Sequence, residues 1–288
     1  MIFLHPGMAK SATTSLQQLV FARHPEINYL GLPAETEEVR AAIRRICRDD
    51  GLYWDEAAVG AILGPLLSSA REASLLSYEN FTLYESTDKL VIADRLHALF
   101  PEARVFFTIR RQQDVLPAWY LQKCQKYLRN GHFVSFDDWW AIKSKRPHRS
   151  ILDDLRYGDV IAAYAERFGR DNVAVFLYEQ LTEDAGAFCH ELAAFLGVDA
   201  AVFEQLLSAG HANPTIPARL MALGPALSYL PRRIAVKISK GMLGRGGSRA
   251  RVKSDPSVKE TIRSLVVGSN RRLMRDFGLP LERYGYFV

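Results

Sequence analysis

Short apolar runs alternate along this chain with longer segments in which apolar residues recur every three to four positions. The short runs predict buried β-strands, which we place at residues 2–4, 73–77, 104–109 and 172–177. The longer segments predict amphipathic helices. These lie at residues 35–49, 54–71, 87–100, from after 114 to about 129, 156–168 and 182–196. The remainder is predicted to be mainly helical, with a loop rich in Gly, Arg and Lys at 241–254. Strands that alternate with helices indicate an α/β fold with a central, mainly parallel sheet flanked by helices.

Polar side chains with useful chemistry follow several of the predicted strands. The segment from His5 to Lys10 follows the first strand, and Glu79, Arg110 and the Tyr178-Glu179 pair follow or end later ones. In a parallel sheet covered by helices, ligands bind outside the carboxyl ends of the strands. We therefore expect these groups to meet at one site.

The composition is that of a globular protein with an anionic partner. With 288 residues, of which 48% are hydrophobic, the chain can bury a sizeable core, and we predict one domain over residues 1–288. The formal net charge of +5 favours an anionic partner. Charge alone does not separate a nucleotide from a polysaccharide, a nucleic acid or a membrane surface.

The sequence predicts a cytoplasmic protein without a membrane span. The predicted first strand begins at Ile2, which leaves no room for a signal peptide, and no apolar run reaches membrane-spanning length. The three cysteines, Cys47, Cys124 and Cys189, are widely spaced and odd in number, so they indicate neither a disulfide framework nor a zinc site.

The segment after the first strand has the layout of a phosphate-binding loop. A strand leads into Gly7 and Lys10, and a helix opens shortly afterwards. Backbone N–H groups at the start of a helix attract anions, and lysine adds a full positive charge. Hydroxyl donors are supplied by Ser11, Thr13, Thr14 and Ser15. The alternative is an ordinary strand-to-helix turn with a solvated lysine.

The spacing within this loop differs from that of the common nucleoside-triphosphate loop, G-x-x-x-x-G-K-[ST]. Here Lys10 lies three residues after Gly7 and three before the paired threonines. The segment instead resembles the 5′-phosphosulfate loop of the sulfotransferases, which use 3′-phosphoadenosine-5′-phosphosulfate (PAPS) as sulfuryl donor. That family usually has glycine where Ala12 stands, and often proline or histidine where Ala9 stands. The resemblance implies a fold like that of the P-loop NTPases, with PAPS bound by Gly7, Lys10, Ser11, Ala12, Thr13, Thr14 and Ser15.

Residues 105–114 resemble the sulfotransferase strand and helix that bind the donor's 3′-phosphate. The resemblance implies that Arg110 binds this phosphate, since guanidinium is a forked, permanently charged donor. A serine eight positions later also binds it in the family, and that position is Ala118 here. The alternative for Arg110 is a surface arginine at a helix entrance.

Two later segments extend the resemblance. Residues 173–181 resemble a family segment whose Tyr178 and Glu179 equivalents brace the sheet. Residues 248–256 are similar to the basic loop that folds over the donor nucleotide. The resemblance implies that Arg249, Arg251 and Lys253 bind the 3′-phosphate and offset the missing serine. The alternative is a solvated surface loop.

Sulfuryl transfer to a hydroxyl requires charge stabilisation and a base. Lys10 would stabilise charge on the bridging oxygen and the leaving phosphate. Glu79 is the leading candidate for the base, since it follows a strand and matches a glutamate seen in carbohydrate sulfotransferases. His5 is the second candidate, because imidazole accepts protons near neutral pH. No metal is expected.

The resemblance implies transfer of a sulfuryl group from PAPS to a hydroxyl or an amine of a carbohydrate or small metabolite. The product would be 3′-phosphoadenosine-5′-phosphate (PAP). One alternative is a P-loop kinase, in which the Lys10-Ser11 pair would serve ATP and magnesium. Another is a non-catalytic protein that binds anions or nucleic acid through the basic stretch 232–253. We expect no nucleic-acid partner, because that stretch lacks interleaved aromatic residues.

Overall fold

The computed structural model describes residues 1–31, 36–68, 73–83, 85–86, 88–148, 150–210, 216–243, 248–252 and 255–288. Its centre is a five-stranded sheet in the order β2-β3-β1-β4-β5, in which every pairing is parallel. The strands are β1 Ile2–His5, β2 Ile27–Gly31, β3 Ala73–Ser77, β4 Arg104–Ile109 and β5 Val173–Leu177. The predicted α/β class with a central parallel sheet is confirmed.

Helices connect the strands and make up most of the chain after β5. Those before β5 are α1 Thr13–Ser15, continued by a π-helical segment Leu16–Phe21, α2 Glu37–Arg48, α3 Glu56–Leu67, α4 Lys89–Leu99, α5 Gln112–Arg129, α6 Phe136–Ser144 and α7 Tyr157–Phe168. Those after β5 are α8 Tyr178–Glu183, α9 Ala185–Leu196, α10 Ala200–Ser208, α11 Ala218–Leu227, α12 Arg232–Leu243 and α13 Pro256–Phe277.

Helices cover both faces of the sheet because successive strand residues point to opposite sides. On one side, Leu4 and Phe107 pack into a core with residues of α2, α3, α4, α7 and α13. On the other, Phe3 and Phe106 pack with the π-helical segment, α9 and α10. A third core joins α5, α6, α11, α12 and α13, and it includes Ala9 from the loop after β1.

The structure corrects the predicted elements at several places, including helix α6 (Phe136–Ser144), for which the sequence pattern predicts no element. Strand β2 was not predicted, because Asn28 and Gly31 interrupt the apolar pattern of this edge strand. The helix predicted over 182–196 is two helices, and the first already begins at Tyr178. Asp184 separates them. Its carboxylate accepts a hydrogen bond (2.9 Å) from the backbone N–H of Ala187 and so caps the start of α9.

Buried polar contacts fix the turn that follows β4. The Glu179 carboxylate accepts hydrogen bonds from the backbone N–H of Arg111 (3.0 Å) and from the hydroxyl of Tyr286 (2.8 Å). One residue further on, Gln112 donates to the side-chain oxygen of Asn270 (2.7 Å), which links α5 to α13. The turn after β4 is therefore tied to α8, to α13 and to the C-terminal segment.

Replacing Tyr286 with phenylalanine tests this tie. The change removes a hydrogen bond to a buried carboxylate, so we expect the free energy of unfolding to fall by about 1.5–3 kcal/mol. Tyr164→Phe is the control, because the buried hydroxyl of Tyr164 has no hydrogen-bond partner among the described residues. Denaturant unfolding measures both variants. Equal losses in the two would contradict a stabilising role for the contact.

Candidate functional site

The loop between β1 and α1 is held in an unusual backbone conformation. Gly7 has a φ of 69°, and Lys10 and Ala12 also have positive φ values, of 62° and 68°. A side chain at Gly7 would lie 3.1 Å from Cγ2 of Thr13 and 3.5 Å from Cα of Glu79. The positive φ of Gly7 and the tight approach of Thr13 therefore both favour glycine at position 7. Lys10 and Ala12 adopt the left-handed conformation at a steric cost.

Two hydroxyls of the loop hold the loop itself. The Ser11 hydroxyl donates to the carbonyl of Met8 (2.7 Å) and lies 3.1 Å from the hydroxyl of Thr108 on β4. The Thr13 hydroxyl donates to the same Met8 carbonyl (3.2 Å). Both residues are buried. These contacts fold the loop back on itself and fasten it to β4, which offsets the cost of its left-handed residues.

A cavity of about 460 Å³ lies beside this loop. It is lined by Lys10, Ala12, Thr13, Thr14, Ser15, Glu79, Arg110, Ala118, Leu121, Gln122, Gln125, Tyr178, Ile216 and Arg249. Nine of these were candidates from the sequence, so the structure brings most of the expected site together. Four other candidates, His5, Gly7, Ser11 and Arg251, do not line the cavity, and Lys253 lies outside the described residues.

Lys10 and Glu79 influence each other electrostatically. Burial raises the pKa of the Glu79 carboxyl, against the opposing effects of the Lys10 charge and of a hydrogen bond from the Lys10 backbone. Burial lowers the pKa of Lys10, Glu79 raises it, and the nearby cations of Arg110 and Lys123 lower it further. An acid–base group and a cation are therefore held side by side where water is partly excluded.

Arg110 leaves the end of β4 and points its guanidinium across the loop. Its Nη1 donates to the carbonyl of Lys10 (3.3 Å), and its Cζ lies 4.5 Å from the ring centroid of Tyr178. The Nε atom is buried without a hydrogen-bond partner among the described residues. Arg110 is thus oriented by an aromatic face while most of its donors remain available for an anion.

One face of α5 forms a wall that the sequence analysis did not identify. Ala118, Leu121, Gln122 and Gln125 line the cavity, at spacings of three, four and seven residues from Ala118. Residues at these spacings share one face of a helix. Since Ala118 was a candidate, the same spacing would have indicated Leu121, Gln122 and Gln125. The two glutamines add amide donors and acceptors to the site.

Backbone pairing brings Arg249 to the cavity. The N–H of Ala218 donates to the carbonyl of Ser248 (2.8 Å), and the N–H of Ala250 donates to the carbonyl of Ile216 (2.9 Å). Pro217 and Arg249 thereby form an isolated antiparallel bridge. Arg249 is exposed and lines the cavity, whereas Arg251 is exposed and lies outside its lining.

His5 lies in the core. Its side chain is fully buried and its ring stacks on Phe106 with centroids 4.5 Å apart. Nδ1 lies 2.8 Å from the hydroxyl of Ser77, and Nε2 is buried without a partner among the described residues. Burial lowers the pKa of His5 to about 3. Because a base must reach the proton that it accepts, this position favours Glu79 over His5.

Ala12→Gly tests the steric cost of the loop. A left-handed residue other than glycine costs about 1–2 kcal/mol, and glycine costs about 0.5–1 kcal/mol through unfolded-state entropy. We therefore expect the free energy of unfolding to rise by about 0.5–1 kcal/mol. Ala61→Gly, at an exposed position inside α3, is the control and should lower it by about 1 kcal/mol. A loss at position 12 as large as that at position 61 would contradict the expectation.

Comparisons with known proteins bear on the fold. No protein-family model matches the sequence, and neither does any curated protein. The structure is similar to that of a sulfotransferase from Alicyclobacillus acidocaldarius, with 17% identity and a TM-score of 0.59 over 98% of this chain and 97% of the other. It is less similar to the mouse sulfotransferase SULT7A1 complexed with PAP (14% identity, TM-score 0.48, 99% and 88% of the two chains). It is also less similar to a sulfotransferase domain from the curacin biosynthetic pathway (12% identity, TM-score 0.46, 86% and 98% of the two chains).

The first of these similarities extends over nearly the full length of both chains. At 17% identity it establishes the architecture, a central parallel sheet flanked by helices. The chain has an α/β fold similar to that of this sulfotransferase, as the sequence resemblance implied.

Proposed function

We propose that this protein transfers a sulfuryl group from PAPS to a hydroxyl or an amine of a carbohydrate or other small acceptor. The observation that carries the proposal is the convergence of Lys10, Glu79 and Arg110 on one cavity. These three residues follow β1, β3 and β4, which are adjacent in a sheet of the sulfotransferase fold. An anion site, a carboxyl group and a second cation are the groups that this transfer requires.

In this proposal the two ends of the donor occupy different parts of the cavity. The backbone N–H groups that open α1, with the hydroxyls of Thr14 and Ser15, bind the 5′-phosphosulfate. Arg110 binds the 3′-phosphate, and Arg249 contributes a second charge from the other side. Ala118, on the face of α5 that lines the cavity, has no hydroxyl. The 3′-phosphate is therefore bound by the two arginines.

The transfer is an in-line displacement at sulfur. A bond forms between the acceptor oxygen and sulfur, and the bond between sulfur and the bridging oxygen of PAPS breaks, which leaves PAP and a sulfate ester. Lys10 stabilises the negative charge that develops on the bridging oxygen. Glu79, as its carboxylate, accepts the proton that the acceptor hydroxyl loses. The raised pKa of Glu79 makes its carboxylate a better proton acceptor than an exposed one.

One contact favours this proposal over a kinase. In the kinase alternative, the hydroxyl after Lys10 would serve the magnesium ion. The Ser11 hydroxyl is instead engaged with the Met8 carbonyl and lies near Thr108, on the side of the loop away from the cavity lining. The sulfotransferase loop needs no such ligand, so a structural role for Ser11 is compatible with it.

Nucleotide binding by the Arg110→Ala variant tests the donor site. The wild-type protein should be stabilised more by PAP than by AMP or by ATP with magnesium. Arg110→Ala should weaken PAP binding about ten- to hundredfold and leave AMP binding nearly unchanged, because it removes a charge-assisted phosphate contact. Thermal shift followed by calorimetric titration measures these affinities.

Arg251→Ala is the matched control, since Arg251 is an exposed arginine that does not line the cavity. It should bind PAP like the wild type. Stronger stabilisation by ATP with magnesium would instead support the kinase, and an unchanged PAP preference in Arg110→Ala would show that the 3′-phosphate binds elsewhere.

The pH dependence of turnover tests Glu79 as the base. Since only the carboxylate accepts a proton, turnover should rise as the pH rises through the elevated pKa of Glu79 and then level off. Glu79→Gln should lose this rise and lower kcat by about 10²–10⁴-fold. PAP released from PAPS in the presence of a panel of sugars and hydroxylated metabolites is the measurement. Glu85→Gln, which changes an exposed glutamate outside the cavity lining, should keep the wild-type profile.

A further inference from the structure

The excess positive charge of the chain is concentrated in one segment. Residues 205–254 contain nine of the 37 Lys and Arg residues and no Asp or Glu. The rest of the chain therefore has 28 basic and 32 acidic side chains. Of the described basic residues in the segment, Arg249 alone lines the cavity. The proposed function accordingly leaves most of this charge without a role.

The same segment contains exposed apolar residues at the end of a helical hairpin. Helices α11 and α12 are joined by residues 228–231, and every residue from 228 to 234 is exposed. Tyr229 is 89% exposed, Leu230 39% and Ile234 48%. Arg232, Arg233 and Lys237 are exposed beside them. We call residues 228–234 the hairpin tip.

The exposure of the hairpin tip does not result from poor packing of α12. The apolar stripe of α12 is used within the protein, where Ala235 is buried and Ile238 and Met242 pack against the third core. Arg232 also donates from Nε to the carbonyl of Asn130 (3.1 Å), at the end of α5. A well-anchored hairpin therefore presents its apolar end to solvent, which is a feature of interaction sites.

We propose that the hairpin tip binds the surface of an anionic lipid bilayer. Tyr229 has an apolar ring with a polar end, which suits the membrane interface, and Leu230 and Ile234 supply apolar area for insertion. The adjacent cations would contact lipid phosphates, and each is worth a measurable gain near a negative surface. This combination of apolar end and cationic flank is the reason to choose a lipid surface.

Other partners match the same surface less well. A second copy of the chain would bring two acid-free segments together and would be opposed by their charge. A nucleic acid would use the cations but gain little from exposed leucine and isoleucine. Helix α11 has ten residues and spans about 15 Å, and it begins beside Ile216 at the cavity. Binding at the tip therefore leaves the cavity about one helix length from the lipid surface.

Vesicle flotation tests the proposal independently of turnover. The wild-type protein should float with vesicles that contain phosphatidylglycerol and should bind pure phosphatidylcholine at least tenfold more weakly, with binding that decreases as salt rises. Tyr229→Ser combined with Leu230→Ser should weaken binding to the anionic vesicles about tenfold. Arg233→Gln combined with Lys237→Gln should weaken it by a similar factor and reduce its salt dependence.

The control is an exposed apolar pair whose neighbouring charged residues are acidic. Leu52 and Tyr53 are 89% and 72% exposed, and they lie between Asp50 and Asp55. Leu52→Ser combined with Tyr53→Ser should leave vesicle binding unchanged. Circular dichroism and unfolding midpoints should be the same for all variants, since every changed residue is exposed.

Several results would overturn the proposal. These are an absence of binding to anionic vesicles, equal binding to both vesicle types, and wild-type binding by the Tyr229 and Leu230 variant. Concentration-dependent dimerisation that the tip variant abolishes would assign the surface to a second copy of the chain. Release from the vesicles by a single-stranded oligonucleotide at equal phosphate concentration would assign it to nucleic acid.

Discussion

The position of β1 between β3 and β4 is the constraint on which the candidate site depends. Because the three strands are parallel and adjacent, their carboxyl ends lie at one edge of the sheet. The loop after β1, Glu79 and Arg110 each follow one of these ends. Strand spacing therefore sets the separation of the three points from which these residues follow. The tie from Glu179 to the backbone of Arg111 then fixes the direction in which the chain leaves β4.

The loop after β1 divides its hydroxyls between two tasks. The Ser11 and Thr13 hydroxyls donate to the Met8 carbonyl and hold the loop together, while Thr13, Thr14 and Ser15 line the cavity. Ala12 has a left-handed backbone conformation, which costs more free energy for alanine than for glycine. A loop that is held by internal hydrogen bonds can tolerate this cost.

The sequence predicted the fold and most of the cavity because both follow from local patterns. The strands Ala73–Ser77 and Arg104–Ile109 contain the apolar runs Leu75-Leu76 and Val105-Phe106-Phe107, and these runs placed Glu79 and Arg110 at neighbouring strand ends. Edge strand β2 was not predicted because Asn28 and Gly31 interrupt its apolar residues. The position of His5 depends on Phe106, which is a hundred residues away in the sequence, so no local pattern could reveal it.

The short pairing between residues 216–218 and 248–250 has a mechanical consequence. It joins the start of α11 to the backbone of Arg249 through two hydrogen bonds, so the hairpin and one wall of the cavity share an attachment. Residues 216–218 and 248–250 therefore form one structural unit, which positions the start of the hairpin and the Arg249 side of the cavity together.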